Sequence, residues 1–276
     1  MFLNEKIASG GTAEVYAYET DKIAKVFHDN IPDEAINHEF LVSRLISTIV
    51  VRSPKMYELI ENTKERGYIA ERIFGRSMLD YIMKKEGDIE ELLHQFTSTH
   101  YQLHNILFSN TLGSSVNTIL LSTHEWLKQR ISWTNDLTEK EKIVLYEELY
   151  ELPEGNSICH NDYHPDNLII TEDTHEFCII DWCDVSIGNP LADVARTILT
   201  FSPTELPPEI PPEVQSMLQE GRKFMKELYM KEYRKLSGMN LLELDKWIPI
   251  VAASRLFCEG ESSKEYLLDL IRNRKR

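Results

Sequence analysis

The chain has 276 residues, 42% of them hydrophobic and 27% charged, and its formal net charge is −15. That length suits one large domain or two modest ones, and the composition excludes wholesale disorder and collagen-like repeats. No apolar run approaches the ~20 residues that a membrane-spanning helix needs. The opening MFLNEKIASG puts Glu5 and Lys6 where an export signal would carry its apolar stretch, and 4 cysteines are too few for a disulfide framework. These features predict a soluble, cytoplasmic protein without a membrane partner. Most of the negative charge lies beyond residue 75, and such a surface repels phosphate backbones, so nucleic acid is excluded as a partner. It would attract a cationic small molecule, although acidic surfaces also simply aid solubility.

Residues 6–9 and 14–18 alternate in polarity around Gly10-Gly11 and read as strands, and 22–27 follows after a turn at Thr20-Asp21. A helix is predicted over 33–50, capped by Asp33, with Ile36, Phe40, Ile46 and Val50 on one face. Short strands follow at 55–59 and 67–71. From about residue 77 the pattern turns helical, through 78–85, 89–107, 115–132 and 139–151, and one strand-like island interrupts it at 167–180. A proline cluster, Pro203 to Pro212, precedes three last helical stretches at 213–236, 241–258 and 261–273. The basic residues 272–276 read as a solvated helix end, where cations suit the dipole. A strand-rich first quarter and a helical remainder predict an α+β protein of two lobes, with domains at 1–74 and 75–276.

The densest chemistry is HNDYHPDNLIITEDTHEFCIIDWCD, which begins at His160. The apolar runs 168–170 and 177–180 flank a polar turn and should pair as an antiparallel hairpin. Asn167, entering the first strand, and Asp181, leaving the second, then converge at one end, with Asp162 in the loop that feeds it. An amide oxygen beside carboxylates makes a hard oxygen site suited to Mg²⁺, which completes its shell with substrate phosphates. Other readings stand beside this one. Asp and Asn at strand ends often only form turns. His160 and His164 have a zinc-like spacing near Cys159, Cys178 and Cys183, but no C-x₂-C pair accompanies them, and Pro165 disfavours the helix that usually presents such a pair. Alone, the segment reads equally as a site or as scaffold.

The first lobe tips the balance. SGGTAEV is an ordinary hairpin turn or a glycine turn whose backbone N–H groups approach a phosphate. Lys25 sits in the apolar run Ile23-Ala24-Lys25-Val26-Phe27, and Glu39 falls on the apolar face of the following helix. Two opposite charges set into apolar faces should find each other, because unpaired burial costs several kcal/mol.

This ordered set resembles the kinase-like aminoglycoside phosphotransferase family, with its choline-kinase and homoserine-kinase relatives. HNDYHPDNLII matches the family's H-x-D-x-H-P-x-N, IIDWCDVSIGNPLADVART matches its I-D-W…G-x-P-x-x-D, and AERIFGRSML resembles its passage between lobes. The resemblance implies a two-lobed protein-kinase-like fold, with a small β-rich N-lobe and a larger, mainly helical C-lobe. It further implies that Asp162 orients an acceptor hydroxyl and takes its proton, while Asn167 and Asp181 hold Mg²⁺. Lys25, held by Glu39, would contact the phosphates of ATP, and Gly10, Gly11, Thr12 and Ala13 would cover them. Backbone groups of Glu71 and Ile73 would meet the adenine edge, with Val15 against the ring. Asp193 matches a position that braces the catalytic loop.

Departures from protein kinases narrow the expectation. The last carboxylate reads Asp181-Trp182-Cys183 rather than D-F-G, no A-P-E stretch follows, and neither G-x-G-x-x-G nor G-K-[ST] occurs. The expected activity is ATP- and Mg²⁺-dependent phosphoryl transfer to a small-molecule hydroxyl, with protein substrates set aside. The acidic second lobe favours a cationic alcohol, an aminoglycoside or an amino alcohol, with Asp184, Glu259 and Glu261 as candidates to meet an ammonium. Neutral sugars and amino acids stay open. The competing expectation is a nucleotide-binding regulator without turnover, against which every residue that the chemistry requires is present.

Overall fold

The computed structural model describes residues 5–50, 52–61, 65–108, 119–202 and 211–274. The chain divides into two compact units, one of residues 1–87 with 165–184, the other of 88–164 with 185–276. The division differs from the expected boundary at 74 because the 167–180 hairpin is bound into the first unit. There β6 (Gly75–Ser77) pairs antiparallel with β8 (Leu168–Thr171), which pairs with β9 (Phe177–Ile179).

The first unit also holds a five-stranded antiparallel sheet in the order β1-β2-β3-β5-β4. Its strands are β1 (Lys6–Ser9), β2 (Ala13–Tyr18), β3 (Lys22–Phe27), β4 (Met56–Glu61) and β5 (Arg66–Glu71). Helix α1 (Asp33–Ile46) packs on β4 and β5 and closes a core of Ala13, Phe27, Ile36, Phe40, Tyr68 and Ala70. Asp33 is the first helical residue and not the cap. Pro32, at φ −65° and ψ 146°, occupies the cap without a side-chain bond, and the Asp33 carboxylate accepts instead from Arg66 at 2.8 Å. The helix stops before Val50 because the Ser47 and Thr48 hydroxyls donate back to the carbonyls of Arg44 and Leu45, a local competition that ends helices. Gly67 is required by a close approach: a Cβ there would stand 1.8 Å from the Lys25 carbonyl oxygen. A short α2 (Met78–Lys84) is capped by the Ser77 hydroxyl.

The second unit is helical. It comprises α3 (Ile89–His104), α4 (Thr123–Trp133), α5 (Glu139–Glu151), α6 (Pro190–Thr200), α7 (Pro212–Ser237), α8 (Leu241–Arg255) and α9 (Glu261–Arg272). Strands β7 (Ser157–Cys159) and β10 (Ser186–Gly188) pair antiparallel. Its centre is α6, buried from Ala192 to Leu199, against which α8 packs, while α7 packs on α3. Capping boxes at Ser122 and Thr138 start α4 and α5. The predicted helix at 115–132 therefore begins at Thr123, its residues 115–118 lying outside the described set, as do residues 203–210 of the proline cluster. The basic end is tied down where solvation was expected. Arg272 donates to Glu141 at 3.0 Å and Arg274 to Glu148 at 2.7 Å, and residues 275–276 lie outside the described set.

Candidate active site

In the first unit, antiparallel pairing sets Tyr68 of β5 opposite Lys25 of β3, and the buried face of α1 supplies Glu39. Lys25 Nζ donates to Glu39 Oε1 at 2.6 Å, the Tyr68 hydroxyl donates to the same oxygen at 2.7 Å, and Asp181 Oδ1 lies 3.4 Å from Nζ. Burial works against the Lys25 ammonium, but the Tyr68 oxygen and the Asp181 and Glu39 carboxylates outweigh it and hold the lysine well above its ordinary range. Tyr68 is the member that sequence reasoning missed. Only strand register places it here, and no local motif announces it.

This cluster borders a cavity of about 610 Å³ formed within the first unit. Gly10, Gly11, Thr12, Ala13 and Val15 line it, as do Lys25, Glu71 and Ile73. Glu39 is absent from that wall and holds Lys25 from behind. The turn closes through a bond from Gly10 N–H to the Ala13 carbonyl at 2.9 Å. A Cβ on Gly10 would meet only the Ala13 oxygen at 3.5 Å, and one on Gly11 would meet nothing within 4 Å. The protein's own packing therefore does not demand these glycines, which line the cavity.

Asn167 and Asp181 line the same cavity. The hairpin registers Leu168 on Ile179, and the Ile180 N–H donates to the Asn167 carbonyl at 3.0 Å. Asn167 and Asp181 thus stand at one end of the hairpin. Asp181 has a left-handed backbone, φ 62°, at a cost of about 1–2 kcal/mol. The next residue, Trp182, is 1% exposed and donates its indole N–H to the Ile179 carbonyl at 3.2 Å, pinning the chain beyond the strained residue. An amide oxygen and a carboxylate form a donor set that fits Mg²⁺. The zinc spacing is not realised: among the described residues no group of ligand atoms joins His160 and His164 with a cysteine.

Asp162 belongs to the second unit, in the loop after β7. His164 Nε2 lies 3.3 Å from its Oδ2 and Arg196 Nη2 3.9 Å from its Oδ1. Burial raises the Asp162 carboxyl, but the His164 hydrogen bond and charge and the Arg196 guanidinium prevail, leaving it well below the usual carboxylate range. Its side chain stays 31% exposed while the chain on both sides is fastened. Asp193 on α6 accepts from His160 N at 2.5 Å and Asn161 N at 2.8 Å, and Arg196 Nε donates to the Asn161 carbonyl at 2.8 Å. The Thr197 hydroxyl donates to the Tyr163 carbonyl at 3.0 Å, and the His160 ring accepts from the Asp162 N–H at 3.2 Å. Sequence reasoning passed over Arg196, three residues after Asp193, and over His100 and His104, whose i, i+4 spacing on a predicted helix was legible.

Of the three residues expected to meet a cationic acceptor, Asp184 closes the first unit, while Glu259 and Glu261 lie in the second. Glu259 accepts from Arg255 Nε at 2.7 Å, and Glu261 pairs with Lys264 at 3.0 Å.

The arrangement of a lysine–glutamate pair, a glycine turn and an Asn/Asp hairpin end defines a kinase-like protein of the α+β class. The sequence profile of the Phosphotransferase enzyme family matches residues 4–228. The chain belongs to that family. The solved structures bear out the fold. An aminoglycoside-3'-phosphotransferase of type VIII superposes with a TM-score of 0.56 at 16% identity, covering 91% of each chain. APH(2")-IIa in its ternary complex with streptomycin and ATP gives 0.57 at 17% identity, over 96% of this chain and 89% of that one. An ethanolamine kinase from Plasmodium vivax gives 0.55 at 13% identity, over 99% and 82%. Among curated proteins, acyl-CoA dehydrogenase family member 10 of Mus musculus is 23% identical over 227 residues, 77% of this chain. The chain spans only 21% of that protein's length.

Proposed function

We propose that this protein is an ATP- and Mg²⁺-dependent kinase that moves the γ-phosphoryl group to a hydroxyl of a small molecule. The observation that supports it most is the Lys25–Glu39–Asp181 cluster on a cavity edged by an unobstructed glycine turn. Lys25, kept charged, binds the α- and β-phosphates, and the N–H groups of residues 10–13 cover them. Val15 lies against the base, whose edge meets the backbone of Glu71 and Ile73. Asn167 and Asp181 hold Mg²⁺, which when bound neutralises charge on the phosphate oxygens. Asp162 is a weak base, with its carboxyl held low. That suits a loose transition state, in which the hydroxyl needs orientation first and gives up its proton late.

The acceptor we propose is a cationic alcohol, in line with the negative charge concentrated beyond residue 75 and with the aminoglycoside and ethanolamine named for the structural neighbours. Asp184, Glu259 and Glu261 are the candidates to meet its ammonium. The experiment is ADP release from Mg²⁺-ATP against aminoglycosides, amino alcohols, amino acids and sugars. Wild type should turn over one class. Asp162→Asn should lose at least ~10³-fold in kcat yet retain nucleotide binding, whereas Asp181→Ala should lose the Mg²⁺-nucleotide affinity itself. Near-normal turnover by Asp162→Asn, or no ATP binding by wild type, would overturn the reading.

A further inference from the structure

The mechanism uses Asp193 only through two backbone amides, yet its Oδ2 accepts more. His100 Nε2 lies 3.1 Å and His104 Nε2 3.2 Å from it, in addition to His160 N. The opposite ring nitrogens face α7: His100 Nδ1 is 2.8 Å from the Tyr229 hydroxyl and His104 Nδ1 2.6 Å from the Tyr233 hydroxyl. The cluster is sealed. Exposure is 0% for His100, Asp193 and Tyr229, 2% for Tyr233 and 4% for His104. His100 also stacks on Tyr163, the neighbour of Asp162, with ring centroids 3.9 Å apart and planes at 11°.

Donor counting fixes the protons. An ionised carboxylate only accepts, so both Nε2 atoms carry hydrogen. One carboxylate in a dry site cannot compensate two imidazolium ions, and burial pushes His100 down to about 3, with His104 adding to the effect. At most one ring can then carry a charge, and with His100 neutral its Nδ1 is a lone pair to which the Tyr229 hydroxyl donates; the matching arrangement at His104 makes the Tyr233 hydroxyl the donor there. We propose that Tyr229 and Tyr233 are positioning residues for the Asp162 loop, locking His100 and His104 as neutral Nε2–H tautomers that both donate to Asp193. Both tyrosines lie beyond residue 228, where the family match ends. Its kinetic consequence rests on the phosphotransferase reading; its tautomeric content does not.

The first test needs no turnover: ¹⁵N-histidine NMR of the full chain between pH 6 and 8. Both rings should be neutral, with protonated Nε2 and Nδ1 shifted by an accepted hydrogen bond. In Tyr229→Phe/Tyr233→Phe the Nδ1 resonances should lose that shift, and the His160 and Asn161 amides should exchange at least tenfold faster. The kcat should fall about tenfold, for the two hydrogen bonds lost, while the KM for ATP holds. Proton on Nδ1 in wild type, an imidazolium in this range, or one bound zinc per chain would overturn the proposal. The ligand atoms of His100, His104 and Asp193 do lie within 4.8 Å of one another, so zinc content is measured on the same sample. An inactive wild type with the expected tautomers and exchange rates would sink the kinase reading and leave the clamp standing.

Discussion

Each unit builds one of its functional groups around a carboxylate that several donors share, and the two clusters differ in what they leave open. Glu39 of the first unit binds Lys25 and Tyr68 beside a cavity, and Lys25 keeps 15% of its side chain exposed. Asp193 of the second unit is completely enclosed and spends its oxygens on two backbone amides and two imidazoles. The first cluster keeps a charge at the wall of a cavity. The second stores a backbone shape, since the side chain it serves, Asp162, only projects from the loop it holds. The same chemistry therefore serves electrostatics in one place and preorganisation in the other, and the difference is one of solvent access.

Paired substitutions break this comparison most sharply. Asp193→Asn leaves buried donors facing one another and should cost about 3–5 kcal/mol of stability, as loss of one partner from a buried charged network does. Glu39→Gln keeps an acceptor for Tyr68 and leaves Lys25, on the cavity wall, with Asp181 3.4 Å away, and should cost only about 1–2 kcal/mol while weakening ATP binding about tenfold. Urea unfolding and calorimetric ATP titration on both variants read the two effects. Equal stability losses would mean that Asp193 and Glu39 do the same work.

Acid separates the clusters next. His100 has its folded value depressed to about 3 from 6.5, so below pH 6.5 the unfolded chain binds the extra proton and the folded state does not. Stability is then complete above about 6.5 and falls with acidification, with a limiting slope of about 1.4 kcal/mol per pH unit. Asp193, also depressed, acts in the same direction below about 4, its ordinary unfolded value. Lys25 is displaced upward, so its contribution is complete below its unfolded value near 10.4 and fades only in alkali. Thermal unfolding from pH 7.5 to 5 should show a falling Tm in wild type and a flatter profile in His100→Gln. An unchanged slope in that variant would remove His100 as the cause.

These contrasts also show what a linear sequence can carry. The strands at 22–27 and 67–71, the helix at 139–151 and the hairpin ending in Asn167 and Asp181 were legible because periodicity and turn chemistry are local. So was the Lys25–Glu39 pair, because a charge in an apolar run on each of two elements has few other fates. The short strands β6, β7 and β10 were missed: three residues carry no period, and their partners lie far along the chain. Tyr68 and the α7 tyrosines escaped for the same reason. A tyrosine on a buried face looks like packing until register or helix pairing shows which nitrogen or carboxylate its hydroxyl meets.

The smallest expected effect tests the first unit alone. Gly11 has no backbone conformation that demands glycine, and a Cβ there would touch nothing within 4 Å. If the turn served only the fold, Gly11→Ala would be neutral or would stabilise by about 0.4–1 kcal/mol through the unfolded chain, and nothing else would change. If it serves a phosphate, the same methyl group occupies the space through which backbone N–H groups approach the ligand. ATP affinity should then fall severalfold while Tm holds or rises. A stability gain accompanied by a binding loss cannot come from damaged packing, so that pair of signs separates a site from a scaffold. Unchanged affinity would return SGGTAEV to an ordinary hairpin and leave Lys25 as the first unit's principal hold on the phosphates.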